Sequence, residues 1–387
     1  MTSRTRLFVL FISGPVIAFA VIGGFLGNAL ARSDDTYSHL RVFQDVVSLI
    51  MSHYVEEPNL PNVMRGAMRG LAEGLDPDSA YLSPQQVRQV ENGDRLAPGD
   101  VGIELTHQYY LRVVSAREGS PAFKAGLRPG DFVRIIDARP TRDMSAFEGL
   151  RLLHGAPGSK VRLTVIRGNA VEPHVVDLVR ETPSGPDVRG RLEADGIGYV
   201  RVVSFGPRAA DQLRAQVAAL SKQGASRLIV DVRNTAGGTL VEGIAATRLF
   251  VPTGTLAIRE SRAGQEKILA AKGDGAITLP TVVLIDTGTS GPAELFAAGL
   301  SGNKRAELIG ERTLGRATSQ ELVKLPDGSG LWITASRYLT PAGSALHTKG
   351  LVPDISADQP DAEFGAPEPA DTILMKAVER LSAKKAA

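Results

Sequence analysis

"TVVLIDTGTSGPAELFAAGL", residues 281–300, decides how this chain is built. Its first part, Thr281–Ile285, is almost wholly apolar and β-branched, as a strand buried on both faces should be. Gly288, Gly291 and Pro292 then interrupt the run, and a proline suits the first position of a new helix. Ala293–Leu300 continues with good helix formers. A buried strand, a tight turn and a helix make an elbow, a place where a fold can present a nucleophile above the end of a sheet. One serine, Ser290, stands in the turn, with Gly291 and Pro292 directly behind it.

Working outward, the same alternation extends over 188–355. "IGYVRVVSF" (197–205) and "SRLIVDVR" (226–233) read as strands, whereas "AADQLRAQVAALSKQG" (209–224) and "GTLVEGIAATRLF" (238–250) read as helices. The pattern predicts an α/β layer fold. Upstream, 98–182 holds short β-type runs separated by Gly and Pro turns: "VGIEL", "LRVVSA", "DFVRIIDA", "KVRLTVIR" and "VVDLVR". With the helical "SAFEGLRLLHG" (145–155) among them, they predict a compact barrel-like domain, joined through a linker at "TPSGPD" (182–187). Helical spacing over 42–55 and 60–75, ended by the prolines of "DPDSAYLSP", makes 33–97 a helical module. A Pro-rich tail and a closing helix, "TILMKAVERLSA" with Asp371 as N-cap, occupy 357–387.

The 387 residues are 43% apolar and carry a net charge of +2 without a basic block, which argues against nucleic acid as a partner. With no cysteine, thiol catalysis, disulfides and Cys-based zinc sites are excluded. No metal-ligand spacing is present, and no cofactor is implied. Residues 7–30 form an uncharged apolar run preceded by Arg4 and Arg6. About 20 apolar residues suffice to span a bilayer, and the basic flank predicts a cytoplasmic N-terminus. We expect 1–32 to be a signal anchor holding the remainder at the inner membrane, in the periplasm or extracytoplasmic space. The competing expectation is a secreted form cleaved after Ala31, in "ALA".

Several stretches together resemble the carboxy-terminal processing peptidases, serine peptidases of the S41 type with an embedded PDZ domain. They are "LDPDSAYL" (75–82), "SPAFKAGLRPGDFVRIID" (120–137), "DVRNTAGG" (231–238), "AELFAAGL" (293–300), "IGERTLGRATSQ" (309–320) and "SRYLTPAGSALHTKGLVPDI" (336–355). The resemblance implies a ClpP/crotonase-like peptidase core over 183–356 with a PDZ domain inserted at 98–182. It also implies a Ser–Lys mechanism. The nucleophile lies three residues before Glu294, the lysine base 22 residues after it, and an orienting glutamine four residues further on.

Those positions hold Gly291, Arg316 and Gln320. Glycine offers no nucleophile, and an arginine, with a pKa above about 12, cannot act as a neutral base. Pro292 has no N–H to give an oxyanion. The expectation is a proteolytically inactive or strongly impaired homologue that works by binding peptides, with an envelope protease or adaptor complex as a possible partner. The alternative is an active endopeptidase that cleaves C-terminal regions using Ser290 one position early, with an unconventional base such as His154 or His347. Gly237 and Gly238 are expected to retain an oxyanion turn. Arg316 has two readings, a receptor for a peptide carboxylate or a solvated or ion-paired loop arginine. In the PDZ domain Val101, Gly102 and Ile103 are expected to bind the terminal carboxylate of a peptide, with Leu105, Leu150 and Leu153 lining its side-chain pocket. Gly102→Asp is expected to oppose that binding.

Overall fold

A computed structural model of the chain describes residues 37–93, 96–168, 172–360, 364 and 369–383. The expected anchor, 1–32, lies outside the described residues. Among those described, no helix is long and apolar enough to cross a membrane. The chain divides into two compact units, 1–68 and 69–387. The first contains a helix over 37–53, on which Leu40, Val46 and Leu49 are exposed. The helix Leu60–Glu73 begins there and ends in the second unit.

Among the described residues, the second unit is built on three sheets. A six-stranded sheet forms its centre, with strands in the order Ile355–Ser356, Ala306–Gly310, Thr281–Ile285, Arg227–Asp231, Ile197–Val202 and Val188–Glu193. All neighbours are parallel except the last pair. Alternation along the strands sorts their side chains. Leu228, Val230, Val283 and Ile285 join the core beneath the helices Ala209–Lys222, Leu240–Arg248 and Pro292–Gly302. Ile229, Val282 and Leu284 face the other way, against Ile373, Ala377 and Leu381 of the closing helix Thr372–Ala383. Burial on both faces explains why these strands read as continuous apolar runs. Asp371 caps the closing helix, its Oδ1 accepting the Leu374 N–H at 2.9 Å.

The PDZ sheet runs Ile103–Gln108, Tyr110–Ala116, Phe132–Ile136, Lys160–Ile166 and His174–Val179. It closes around its own core with the helix Ala146–Leu153, whose N-cap Ser145 forms a reciprocal capping box with Glu148. A third sheet joins Ala80–Leu82, Gly330–Leu339, Thr318–Lys324 and the hairpin Thr255–Ser261/Gly264–Leu269. The expected helical module is thus only partly helical. "AYL" of "LDPDSAYL" leaves it to pair antiparallel with Gly330–Trp332. Asp76 makes that departure by accepting the N–H groups of Asp78 and Ser79 at 2.9 and 2.8 Å, an Asx turn.

Contacts of three kinds hold the PDZ domain against the core and the tail. The Asn234 side chain accepts the Ala116 N–H at 2.8 Å and donates to the Ala116 carbonyl at 2.6 Å, completing the end of a PDZ strand. Glu118 pairs with Arg189 and Arg201 of the central sheet, both at 2.9 Å. Phe364 of the tail packs on the PDZ core, stacked on His174 with ring centroids 4.4 Å apart and covered by Arg167.

Candidate active site and peptide cleft

The elbow is pre-built by its own polar residues. At the end of strand Thr281–Ile285, the half-buried Asp286 accepts N–H groups of Gly288 (3.0 Å) and Asn234 (2.8 Å) and the Thr289 hydroxyl (3.1 Å). Burial pushes its carboxyl up, and these donors work against that shift. Gly291 follows as the helix N-cap at φ 56°, ψ −115°, a conformation that L-residues seldom adopt. A Cβ built on Gly291 would lie 3.8 Å from the Ala236 carbonyl and 4.0 Å from that of Arg316, with nothing closer. The nucleophile position therefore faces both the expected oxyanion turn and the expected base loop, and a side chain there has room.

Glu294 ties these pieces together. It is fully buried, and its carboxylate accepts four hydrogen bonds. Thr313 Oγ1 (2.5 Å) and Gly315 N–H (2.6 Å) donate to one oxygen, and Arg316 N–H (2.7 Å) and Gly291 N–H (3.3 Å) to the other. Burial pushes the carboxyl above the ordinary glutamate range, opposed by all four donors. Because Arg316 is held here by its main chain, the loop geometry does not depend on which side chain position 316 carries.

The Arg316 side chain reaches "LDPDSAYL", where its Nε and Nη2 donate to the two Asp78 oxygens at 3.0 and 2.6 Å. This is a forked pair, with the Asp78 side chain 6% and that of Arg316 23% exposed. Burial opposes the arginine's charge, but Asp78 outweighs it and holds the guanidinium more firmly protonated than in water. Of the two readings of Arg316, the structure has the ion-paired one. Among the described residues, no hydrogen bond joins Gln320 to Arg316. Its Nε2 donates to Thr318 and Thr334 hydroxyls at 2.9 and 3.3 Å.

Ser290 is 1% exposed, with its N–H donated to the Thr235 carbonyl and its own carbonyl accepting from Ala293. No hydrogen bond joins it to His154 or His347 among the described residues. His154 Nδ1 lies 3.1 Å from the Ala97 carbonyl. Pro292 begins the elbow helix and has no N–H to offer there.

Gly237 and Gly238 form a turn against Phe205. The Gly237 carbonyl accepts the Phe205 N–H at 2.9 Å. Gly238 has φ 105° and approaches so closely that a Cβ would meet the Phe205 carbonyl oxygen at 2.1 Å. Both glycines line a cleft of about 140 Å³ whose opposite wall is the PDZ domain, including Val101, Gly102, Ile103, Leu150 and Leu153. The expected carboxylate loop and the expected oxyanion turn thus line one space. Leu105 is not part of this wall. It is 4% exposed and packs inside the PDZ core beside Gly149 and Leu111. Gly102 has φ 77°, and a Cβ there would lie 2.3 Å from Ser120 Cβ. Gly102→Asp would accordingly disrupt the loop itself, so it cannot isolate binding. Glu104 also lines the cleft, and burial pushes its carboxyl up despite the nearby Arg316 charge. Asp78 and Asn234 fall in stretches that carry the family resemblance, but their roles, like that of Glu104, were not legible in the sequence because their partners lie on other elements.

Known proteins share this arrangement. Family profiles described as Peptidase family S41 and PDZ domain match residues 196–357 and 99–178. The carboxyl-terminal-processing protease of Synechocystis is 30% identical over 361 residues, covering 90% of this chain and 83% of that protein. The carboxy-terminal processing protease CtpA of Bacillus subtilis is 28% identical, with 93% and 79% covered. Among solved structures, a photosystem II D1 C-terminal processing protease matches with a TM-score of 0.69 at 28% identity, covering 81% of this chain and 86% of that one. With family models matched over its core and its PDZ domain, and 30% identity to a relative over nine-tenths of its length, the chain belongs to peptidase family S41, among the carboxyl-terminal-processing proteases.

Proposed function

We propose that this family member is proteolytically silent or strongly impaired, and that it acts by binding protein C-termini in the cleft between its PDZ loop and its oxyanion turn. The observation that carries the reading is Gly291 at the nucleophile position of an otherwise retained elbow. Peptide cleavage there would need a hydroxyl at 291, a neutral base at 316 and an N–H at 292. The chain supplies glycine, an arginine charged by Asp78, and proline. One lost oxyanion donor alone costs about a hundredfold in rate. The cleft offers what a terminal peptide requires, a glycine loop beside apolar side chains of a helix. The apolar run at 7–30 supports attachment to the inner membrane with the binding unit on its outer side, where C-termini of envelope proteins, or a protease that acts on them, are the partners in this reading.

The test uses the full chain in neutral-lipid nanodiscs, given unstructured polypeptides with apolar C-termini. We expect binding without cleavage, and abolition of binding when the peptide C-terminus is amidated. Robust cleavage that Ser290→Ala removes would replace this reading with that of a peptidase using a shifted serine.

A further inference from the structure

The PDZ domain carries a second concave surface at the far end of the strand that borders the cleft. Ile103 begins that strand at the cleft and Tyr109 follows its other end, roughly 20 Å away at about 3.3 Å per residue. There the hairpin residues Tyr109 and Tyr110, with Phe132 and Ile166 of neighbouring strands, line a basin of about 520 Å³. Register explains the clustering. Phe132 lies opposite both Arg112 and Ile166, and Arg134, two residues along at a β-bulge, lines the same basin.

Three arginines rise around these rings, each over a different one. Arg142 lies 4.7 Å from the Tyr109 centroid, Arg134 5.1 Å from Tyr110, and Arg112 5.8 Å from Phe132. Arg134 also donates to the Tyr110 hydroxyl at 3.2 Å, and Arg112 to Gln108 at 3.1 Å. None of the three pairs with a carboxylate among the described residues, and no acidic residue lines the basin. Elsewhere the same domain pairs Arg117 with Asp100, Arg162 with Asp177 and Arg167 with Asp131. Stacking fixes a guanidinium in place and leaves edge donors available on Arg134, which lines the basin, and on the exposed Arg142 near it, whereas Arg112 is half-buried with its Nε enclosed. The first two are pre-organised for oxygen anions. Tyr109 holds φ 66° with 59% of its surface exposed, a backbone position at which glycine would be more comfortable.

We propose that this basin docks an acidic segment of a protein partner, with an apolar or aromatic side chain seated between the tyrosines and carboxylates on the stacked arginines. Charge complementarity and concavity favour such a segment over an anionic membrane. A bilayer surface is met by protruding side chains and fields of lysine, whereas this surface is hollow and has no lysine in its lining. Aromatic and arginine side chains are also those that dominate binding energy at protein interfaces.

The probe is a peptide blocked at both ends, acetyl-Glu-Asp-Phe-Leu-Asp-Glu-amide, which has no free carboxyl terminus for the other cleft. Its counterpart carries lysine at every acidic position. Both are titrated against the full chain in neutral-lipid nanodiscs, and phosphatidylglycerol vesicles are tested in parallel. We expect the acidic peptide alone to bind, with weakening at raised salt. The double variant Arg134→Glu/Arg142→Glu should lower its affinity at least about tenfold, or 1.4 kcal/mol. Tyr109→Gly deletes a ring while relieving the strained backbone, so its loss of binding could not be ascribed to misfolding. Equal binding of both peptides, no binding of either, or full binding by these variants would overturn the proposal. Vesicle binding that these variants abolish, without peptide binding, would reassign the basin to a lipid surface.

Discussion

Gly291 in the elbow and Gly102 in the PDZ loop both hold positive φ, yet their surroundings differ. At Gly102 there is no space for any side chain, because Ser120 occupies the place of a Cβ at 2.3 Å. At Gly291 the nearest atom to a Cβ stands 3.8 Å away. Packing demands the first glycine and leaves the second free. The elbow therefore leaves room for a side chain at 291, while the PDZ loop has none at 102. In the proposed reading, the contrast separates loss of reacting groups from loss of architecture.

Restoring the groups gives the sharpest test of that separation, and the structure changes which groups are required. Gly291→Ser, Pro292→Ala and Arg316→Lys return a hydroxyl, an N–H and an amine. Asp78 would still pair with the amine introduced at position 316 and keep it protonated, so this triple variant should remain nearly silent. Adding Asp78→Asn removes the counter-charge. A base commonly contributes about 10²–10⁴-fold, and the fourth change should raise cleavage of an unstructured tail by an amount in that range. Equal rates for the triple and quadruple variants, measured by mass spectrometry of the products, would show that Asp78 does not hold the base position.

A large loss of stability is expected from Glu294→Ala. The change strands the Thr313 hydroxyl and three N–H groups in a buried site, at a cost of about 3 kcal/mol or more. A thermal melt followed by circular dichroism checks it. An unchanged midpoint would mean that the elbow, like the chemistry, is dispensable.

The peptide cleft should respond more modestly. Leu150→Glu places a charge in the apolar wall and should weaken an apolar C-terminal peptide about tenfold by calorimetric titration. The raised carboxyl of Glu104 adds a pH dependence. Glu104 becomes neutral at a higher pH than an ordinary glutamate, whose value is 4.5, while the peptide carboxylate stays charged down to about 3.5. Affinity should therefore rise as pH falls, beginning above the pH at which an ordinary glutamate titrates, and Glu104→Gln should flatten the profile near its upper level. The smallest effect is expected for Phe364→Ala, which removes one stacked ring between the tail and the PDZ domain. Its cost of about 1 kcal/mol should appear as faster amide exchange around His174 with cleft affinity retained.

The elbow itself was plain in the sequence, since a buried strand, a Gly-Pro turn and a helix are local features. Gly291, Arg316 and Gln320 could be placed because Glu294 set the count. Asp78 could not be matched to Arg316, as an aspartate after "LDP" reads as a turn residue and its partner lies 238 positions away. Leu105 and Leu153 look alike in sequence and both are buried in the PDZ core, but only Leu153, from the helix, also borders the cleft. "AYL" at 80–82 is too short for periodicity to flag, and its pairing with Gly330–Trp332 is set by the remote strand.

The backbone angles at residue 291 also give the site a direction in evolutionary time. At φ 56° an L-residue carries strain of about 1–3 kcal/mol that glycine does not. A lineage that stops needing a nucleophile here gains folding stability by exchanging it for glycine, and a later reversion must give that stability back before any catalysis returns. With a proline and a compensated arginine settled beside it, no single reversion is rewarded. In the proposed reading the elbow acts as a ratchet, because the strain of any side-chain-bearing residue at 291 opposes the return of a nucleophile there.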